Sequence, residues 1–280
     1  YDKKTPEQSG FNILKINTEY SPMKECFFSY EWNGSVYKRI IDTGYHTFNK
    51  NRFLSSGIEL KKEVWDFLEK MDIDIACGTR KELKLSDIFG FPTLKEEKGN
   101  VTQFFREMSS LIEYLEKVKY VSIRGQKEYG KTALLKQMFE KFYKMKKFPI
   151  FLDIARINTA DGEALNAIIE KSYCNTYNNI DVNAIMQKAA EERICFIDNF
   201  EEIRLGDKNA KKLLKYLTNK FGYIVMTKNH TLDILNPLNY VEMNDYIEEK
   251  FHILVIQPTR QTSKERIINK WIQLSGKTEI

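Results

Sequence analysis

The second half of the chain alternates short apolar runs with longer stretches whose apolar residues recur at helical spacing. Each run has the length of one buried strand, and each amphipathic stretch has the length of a helix. The predicted strands are residues 149–154, 194–198, 223–227 and 252–257, and the predicted helices lie near 162–173, 181–192 and 207–219. This alternation predicts a parallel sheet that is covered on both faces and joined by right-handed crossovers.

The first half has a different pattern. Three strand-like segments, FNILKIN, CFFSYEW and SVYKRII, open the chain, and Asn33-Gly34 between the last two predicts a hairpin. Apolar residues from Ile58 to Met71 follow helical spacing, and IDIAC after them resembles a strand. Because the chain starts almost directly on a strand, we expect a longer polypeptide upstream.

A change in composition indicates a domain boundary. Residues 85–94 are apolar but are interrupted by Gly90 and Pro92, which predicts an irregular strap. The charged KEEKGN that follows is predicted to be a linker, and a helix is predicted from Val101 to Lys117. We therefore predict an N-terminal α/β region over residues 1–97 and a second domain over residues 98–280.

Composition excludes several classes of protein. The chain has 280 residues, of which 42% are hydrophobic, so it can bury a substantial core. No run approaches the roughly 18 apolar residues of a membrane helix and no signal peptide opens the chain, so we expect no membrane association. The cysteines lack metal-ligand spacing, which favours a reducing cytoplasm; they are Cys26, Cys77, Cys174 and Cys195.

Charge gives weak information about partners. The net charge of +5 comes from 44 basic and 39 acidic residues, a small excess on a highly charged surface. Lysine-rich segments at 141–147 and 208–215 could contact phosphate backbones, but such runs are typical of solvated helix faces. Nucleic acid is therefore a weakly supported partner.

The strongest motif in the chain is G-x-x-x-x-G-K-T. It follows an apolar run at residues 120–123 and precedes an amphipathic one, the order strand, glycine-rich loop, helix that a P-loop requires. Backbone N–H groups of such a loop surround phosphates, its lysine reaches the β and γ oxygens, and its threonine ligates Mg²⁺. The predicted nucleotide-binding residues are Gly125, Gln126, Lys127, Glu128, Tyr129, Gly130, Lys131, Thr132 and Ala133.

A second segment, Arg193-Ile-Cys-Phe-Ile-Asp198, has the form of a Walker B strand. We predict that Asp198 holds Mg²⁺ opposite Thr132, although a strand that simply ends in aspartate is the alternative. Hydrolysis also needs a group that orients water. Asn199 stands where an acidic residue is common, so Glu201 is the candidate catalytic carboxylate and Glu202 is the alternative to it. Lys131 and Asp198 are the other predicted catalytic residues.

Other polar residues follow the predicted strands. Thr227 ends the strand at 223–227 and is predicted to bind the nucleotide. Lys228, Asn229 and His230 after it stand where a γ-phosphate sensor would lie, although an ordinary polar loop at a strand end is the alternative. Arg156 is a candidate phosphate contact, but a surface arginine is the more ordinary interpretation. The histidines at 46, 230 and 252 are too far apart in sequence to predict a metal site, and His252 on a strand is predicted to be structural.

Together GQKEYGKT, RICFIDNFEE and YIVMTKNH resemble the STAND branch of AAA-related P-loop NTPases over about residues 100–280. The resemblance implies a three-layer α/β/α fold with strand order 5-1-4-3-2, ATP or ADP with Mg²⁺ as cofactors, nucleotide-linked oligomerisation, and bacterial defence or signalling. It also implies that the chain ends before most of the helical lid.

The segments LKLSDIFGFPTL and SKERIINKWIQL resemble the flanks of NTPase modules that follow a calcineurin-like metallophosphoesterase. This likeness implies that the β-rich opening is the end of such a domain. The sequence contains no GDxH or GNHE segment, so phosphoesterase activity is not expected in these residues.

These observations predict a nucleotide-dependent switch that binds ATP with Mg²⁺ and hydrolyses it slowly. Its expected partners are the nucleotide and either another copy of the chain or an upstream effector domain in the same polypeptide. Two alternatives stay open: a DNA-associated ATPase of the AAA type, and a nucleotide-binding scaffold that does not hydrolyse.

Overall fold

A computed structural model describes most of the chain. The described residues are 10–17, 24–33, 35–42, 46–47, 59–71, 83–97, 102–178, 180–229, 240–258, 265, 267–270 and 272–273. The chain forms two compact units, Tyr1–Gly57 and Ile58–Ile280. The strand-like IDIAC segment and His230 lie outside the described residues.

The first unit contains an antiparallel sheet. Its strands are β1 (Gly10–Asn17), β2 (Lys24–Trp32), β3 (Tyr37–Asp42) and β4 (His46–Thr47), in the order β1-β2-β3 with β4 also paired to β2. The predicted hairpin joins β2 to β3: the Asn33 side-chain oxygen accepts hydrogen bonds from the backbone N–H groups of Ser35 and Val36, both at 3.0 Å. Position 34 is outside the described residues.

The second unit alternates strands and helices. Its strands are β5 (Glu59–Leu60), β6 (Leu94–Glu96), β7 (Phe104–Phe105), β8 (Tyr120–Gly125), β9 (Phe148–Phe151), β10 (Tyr177–Asn178), β11 (Arg193–Ile197), β12 (Tyr223–Asn229) and β13 (His252–Ile256). Its helices are α1 (Lys62–Glu69), α2 (Leu85–Ile88), α3 (Met108–Val118), α4 (Lys131–Lys144), α5 (Gly162–Thr176), α6 (Val182–Gln187), α7 (Asp207–Lys220) and α8 (Val241–Lys250). Short 3-10 turns lie at Ile154–Arg156, Ala190–Glu192 and Phe200–Glu202.

The central sheet confirms the predicted α/β fold. Within the described residues it has seven strands in the order β7-β6-β13-β8-β12-β11-β9. The five from β13 to β9 are parallel, and numbered along the chain from β8 they stand in the order 5-1-4-3-2 that the family resemblance implied. The sheet is mixed because β6 and β7 add to it antiparallel.

The strands β6 and β7 correct three predictions. Residues Lys95 and Glu96, predicted as linker, pair with β13, and the helix predicted from Val101 begins only at Met108. The predicted boundary at 97/98 therefore differs from the observed division between Gly57 and Ile58, because strand pairing joins β6 to the second unit. The predicted helix at 181–192 is shorter, since α6 ends at Gln187.

One part of the core lies between α4 and the sheet. The apolar residues on one face of α4 are buried: Leu134, Leu135, Met138, Phe139 and Phe142. Phe139 stacks on Phe151 with ring centroids 5.2 Å apart, and both contact Phe196. Burying such a side chain stabilises the fold by about 1.5–3 kcal/mol. This packing fixes the start of α4 against the carboxyl ends of the parallel strands.

The guanidinium of Arg193 is buried near the carboxyl ends of α6 and α7. It donates to the carbonyl of Met186 at 2.8 Å, in the last turn of α6, to that of Lys188 at 2.6 Å, just after α6, and to that of Lys220 at 2.9 Å, at the end of α7. Carbonyls at helix ends otherwise have no intrahelical donor. One side chain therefore satisfies two helix termini and ties both helices to β11.

Two tyrosines donate hydrogen bonds to carbonyls of the edge strand β9. The Tyr177 hydroxyl donates to the carbonyl of Pro149 at 2.8 Å, and the Tyr173 hydroxyl donates to the carbonyl of Phe148 at 3.4 Å. Tyr177 also begins β10, which pairs antiparallel with β5. Burial raises the pKa of both phenols, so they stay protonated donors.

None of the helices in the described part of the chain has the length and apolar character needed to span a bilayer.

Candidate nucleotide site

The P-loop motif forms the connection between β8 and α4. Gly130 lies immediately before α4 with φ of 78°, a left-handed conformation that glycine adopts without the steric cost of a Cβ. Gly125 ends β8, where an added Cβ would come within 3.3 Å of the Ile256 side chain on β13. The backbone conformation therefore favours glycine at position 130, and the tight approach of Ile256 favours it at position 125.

The ammonium of Lys131 lies inside this loop. Its Nζ donates to the carbonyls of Gly125 at 3.0 Å and Gln126 at 2.8 Å, and the residue is only 7% exposed. Burial lowers the pKa of Lys131, while the nearby carboxylates of Glu201 and Asp198 oppose that shift. The loop is thus folded around one positive charge at the amino end of a helix, where the helix dipole is also positive.

The two residues predicted to hold a metal ion contact each other. Thr132 Oγ1 donates to Asp198 Oδ2 at 2.6 Å, which joins the start of α4 to the end of β11. A hydroxyl and a carboxylate are oxygen donors of the kind that Mg²⁺ prefers. In the part of the chain that the structure describes, no group of three or more His, Cys, Asp or Glu residues could hold a metal. An ion between Thr132 and Asp198 would therefore take its remaining ligands from phosphate and water.

Thr227 is not placed as predicted. Its hydroxyl bonds to Asp198 Oδ1 and accepts the backbone N–H of Asn199 at 2.9 Å. The residue is fully buried and does not line the cavity beside the loop; Asn229, two residues further along β12, does. Thr227 orients Asp198, and Asn229, one of the residues predicted as a γ-phosphate sensor, lines the cavity.

A cavity of about 1050 Å³ opens over the loop. It is lined by Lys70, Met71, Leu85, Ile88, Lys127, Glu128, Gly130, Lys131, Thr132, Ala133, Lys136, Asn199, Glu201, Glu202 and Asn229. The sequence predicted the side of this cavity that the P-loop and Glu201 form. It did not predict the rest of the wall, which comes from the two residues after α1, from α2 and from Lys136 in α4.

Lys136 contacts the residues around the part of the cavity wall that the sequence did not predict. This residue is buried, its Nζ donates to the carbonyl of Lys70 at 2.9 Å, and it lies 4.7 Å from the centre of the Phe67 ring. Lys136 follows Thr132 by four residues, so the two share a face of α4. That spacing was the available signal, and it was hidden among the many lysines of the chain.

Glu201 faces the cavity from the 3-10 turn after β11. Within the described residues its Oε2 is buried and has no hydrogen-bond partner. Burial raises the pKa of Glu201, while backbone N–H groups of Glu201 and Asn229 and the charge of Lys131 oppose the shift. Asn199, which precedes this turn, has φ of 49°, a left-handed conformation that asparagine tolerates better than most residues. A buried carboxylate oxygen directed at a cavity is suited to hold a water molecule.

The remaining candidates lie elsewhere. Arg156 is strongly exposed, pairs with Asp153 at 2.8 Å, and does not line the cavity. His252 contacts Tyr114 and Glu96 through Nδ1, at 2.8 and 3.0 Å, a contact between β13, α3 and β6. The described residues therefore leave the P-loop, Asp198, Glu201 and Asn229 as the groups gathered at one edge of the sheet.

No family model matches the chain, and no curated protein matches it. Among solved structures, it is similar to AMPPCP-bound DnaA from Aquifex aeolicus, with 13% identity, TM-score 0.37, and coverage of 59% of this chain and 49% of DnaA. It is similar to the ORC2 protein of Aeropyrum pernix in ADPNP and ADP complexes, with 13% identity, TM-score 0.37, and coverage of 59% and 51%. The aligned part thus spans about half of each of these proteins. The fold assignment rests on the strand order and the loop described above.

Proposed function

We propose that the chain binds ATP with Mg²⁺ at the cavity over the P-loop, hydrolyses it slowly, and changes conformation with the bound nucleotide. The observation that carries this proposal is the enclosure of the Lys131 ammonium by the loop, next to the Thr132–Asp198 contact. These groups provide a cation, a helix amino terminus and a pair of oxygen ligands within one short stretch of the sheet edge.

The triphosphate is the natural ligand of such an arrangement. Backbone N–H groups of the loop would surround the phosphate oxygens, and Lys131 would exchange its two carbonyl partners for β and γ oxygens. Thr132 and Asp198 would hold Mg²⁺, which when bound neutralises phosphate charge and orients the terminal phosphate. Met71, Leu85 and Ile88 form an apolar wall against which the rest of the nucleotide can pack.

Hydrolysis would use the carboxylate of Glu201. Water attacks the γ-phosphorus, the bond from phosphorus to the β–γ bridging oxygen breaks, and the water proton passes to Glu201 Oε2. The products are ADP, inorganic phosphate and a proton. A carboxylate whose pKa is raised by burial is a better base than an ordinary one. Asn229, beside it, can donate its side-chain amide to a γ-phosphate oxygen.

Turnover should be slow without a partner. No arginine is among the described residues that line the cavity, so the positive side chains there are the lysines, of which Lys131 lies in the phosphate-binding loop. Arginines supplied by a second molecule accelerate related reactions by about 10³–10⁵. We therefore propose self-association or an upstream effector domain as the activating partner, with the nucleotide acting as a switch in bacterial defence or signalling.

Calorimetric titration of ATP and of ADP, each with Mg²⁺, tests the binding step. The wild type is compared with Lys131→Ala, and Lys144→Ala is the matched control because Lys144 is an exposed lysine on the last turn of the same helix. We expect binding by the wild type and the control and none by Lys131→Ala. Absence of binding by the wild type, or equal binding by all three proteins, would refute the proposal.

A further inference from the structure

Two cations lie side by side beneath the phosphate-binding edge. Arg124 on β8 and Lys228 on β12 are register partners in the parallel ladder, so their side chains project from the same face of the sheet. The Arg124 side chain is 14% exposed, and Lys228 is 6% exposed as a residue. Like charges opposite each other on neighbouring strands repel, and poor exposure to water strengthens that repulsion.

Helix α8 supplies a partner to each cation. Glu248 Oε1 accepts from Arg124 Nη2 at 2.6 Å, and Asn244 Oδ1 accepts from Lys228 Nζ at 3.2 Å. Asn244 and Glu248 are four residues apart, so they share one face of the helix. Glu97, which follows β6, adds a longer contact of 3.9 Å to Arg124. The face of α8 that meets the sheet is thus fixed by polar bonds to β8 and β12.

Each of these two bonds is made by a residue that is adjacent in sequence to a residue of the nucleotide site. Arg124 precedes Gly125, whose carbonyl holds Lys131. Lys228 lies between Thr227, which bonds to Asp198, and Asn229, which lines the cavity. A contact between Asn229 and a γ-phosphate, for example, would shift the end of β12. Such a shift of either strand end therefore moves a side chain that is bonded to α8.

We propose that α8 is the element that reports the phosphate state of the nucleotide, through the Arg124–Glu248 and Lys228–Asn244 bonds. This inference rests on the proposed function, because it needs a triphosphate and a diphosphate that bind the same cavity. Arg124 and Lys228 are positioning residues: they do not touch the nucleotide, and they join the strand ends that do to a helix on the sheet face. A ligand shifts such an equilibrium only by its differential contacts, and the γ-phosphate supplies that difference.

Hydrogen exchange at residues 241–250 of the full chain tests the proposal. Exchange is measured with saturating Mg²⁺ and either ADP or a non-hydrolysable ATP analogue. We expect the two rates to differ by about fivefold or more, the lower end of ordinary coupling between sites. In Asn244→Ala/Glu248→Ala the difference should vanish, although calorimetry still detects binding of both nucleotides.

The matched control is Glu242→Ala. Glu242 forms the ion pair of α8 with Lys211 on α7, at 3.3 Å, so its loss weakens α8 without touching the sheet, and the difference between nucleotides should persist. If the double variant does not fold, Lys228→Gln, which weakens one of the two bonds, should reduce the difference. Equal exchange with both nucleotides in the wild type, or an unchanged difference in the α8 variants, overturns the inference. No nucleotide binding in calorimetry would instead overturn the proposed function.

Discussion

Two buried hydroxyls on neighbouring strands differ in whether they have a partner, and this difference predicts opposite responses to mutation. Thr227 on β12 and Ser122 on β8 are both fully buried. The Thr227 hydroxyl bonds to the carboxylate of Asp198 and accepts the N–H of Asn199. Within the described part of the chain, Ser122 Oγ has no hydrogen-bond partner. We compare Thr227→Val with Ser122→Ala.

The expected magnitudes follow from these contacts. Thr227→Val keeps volume and β-branching but removes a hydrogen bond to a charged group, which is worth about 1.5–3 kcal/mol of unfolding free energy. It also leaves the Asn199 N–H without the acceptor on Thr227. Ser122→Ala removes a hydroxyl that was desolvated without compensation, so we expect an effect near zero or a small stabilisation.

Urea unfolding followed by circular dichroism measures both changes. With a slope near 3 kcal/mol per molar urea for a protein of this size, Thr227→Val should lower the midpoint by about 0.5–1 M. Ser122→Ala should leave the midpoint unchanged or raise it. Equal losses in the two variants would refute the reasoning, because they would show that removing either hydroxyl costs packing and that the bond to Asp198 contributes nothing measurable.

Further predictions concern Glu201 and Arg193. Glu201→Gln should keep Mg²⁺-ATP binding and lower phosphate release by about 10²-fold or more, since an amide cannot accept the proton; an unchanged rate would exclude Glu201 as the base. Because burial raises the pKa of Glu201 above its ordinary value of 4.5, the protonated form is favoured in the folded state. The stability of the wild type relative to Glu201→Gln should therefore fall as pH rises from 4.5 through the raised pKa, and denaturant midpoints against pH that run parallel for both proteins would contradict this. Arg193→Met removes the donor from carbonyls at two helix ends and should cost about 3 kcal/mol in thermal unfolding; a loss under about 1 kcal/mol would mean that water replaces the guanidinium.

The parallel strands and the phosphate-binding loop followed from local pattern, whereas the strand order was implied by the family resemblance. The apolar runs were long enough to identify the parallel strands, and the glycines of the loop have backbone roles that few other residues could fill. The contact of Thr132 with Asp198 was also predictable, because parallel strands present their carboxyl ends to one edge. The parallel strands, the loop and this contact are therefore predictable from the pattern of residues along the chain.

The rest depended on tertiary pairing. β12 was predicted to end at Thr227, but Lys228 and Asn229 continue it by pairing with Arg124 and Gly125, which moves the cavity edge to Asn229. Lys95 and Glu96 were predicted to start a charged linker, but with Leu94 they pair with the edge of β13 and form β6. The wall formed by Lys70, Met71 and α2 is distant in sequence from the motif, and no local signal connects them.

Tyr177, which bonds to a carbonyl on the free edge of β9, limits how copies of this chain can assemble. A strand from another molecule could extend the central sheet at β9 only by displacing the buried hydroxyl of Tyr177 from the carbonyl of Pro149. Pro149 also has no N–H to offer a new strand. If copies of this chain associate in response to nucleotide, as proposed above, they must therefore meet through helices and loops on this side of the molecule. Such contacts can form and separate repeatedly, whereas a shared sheet would be hard to dismantle.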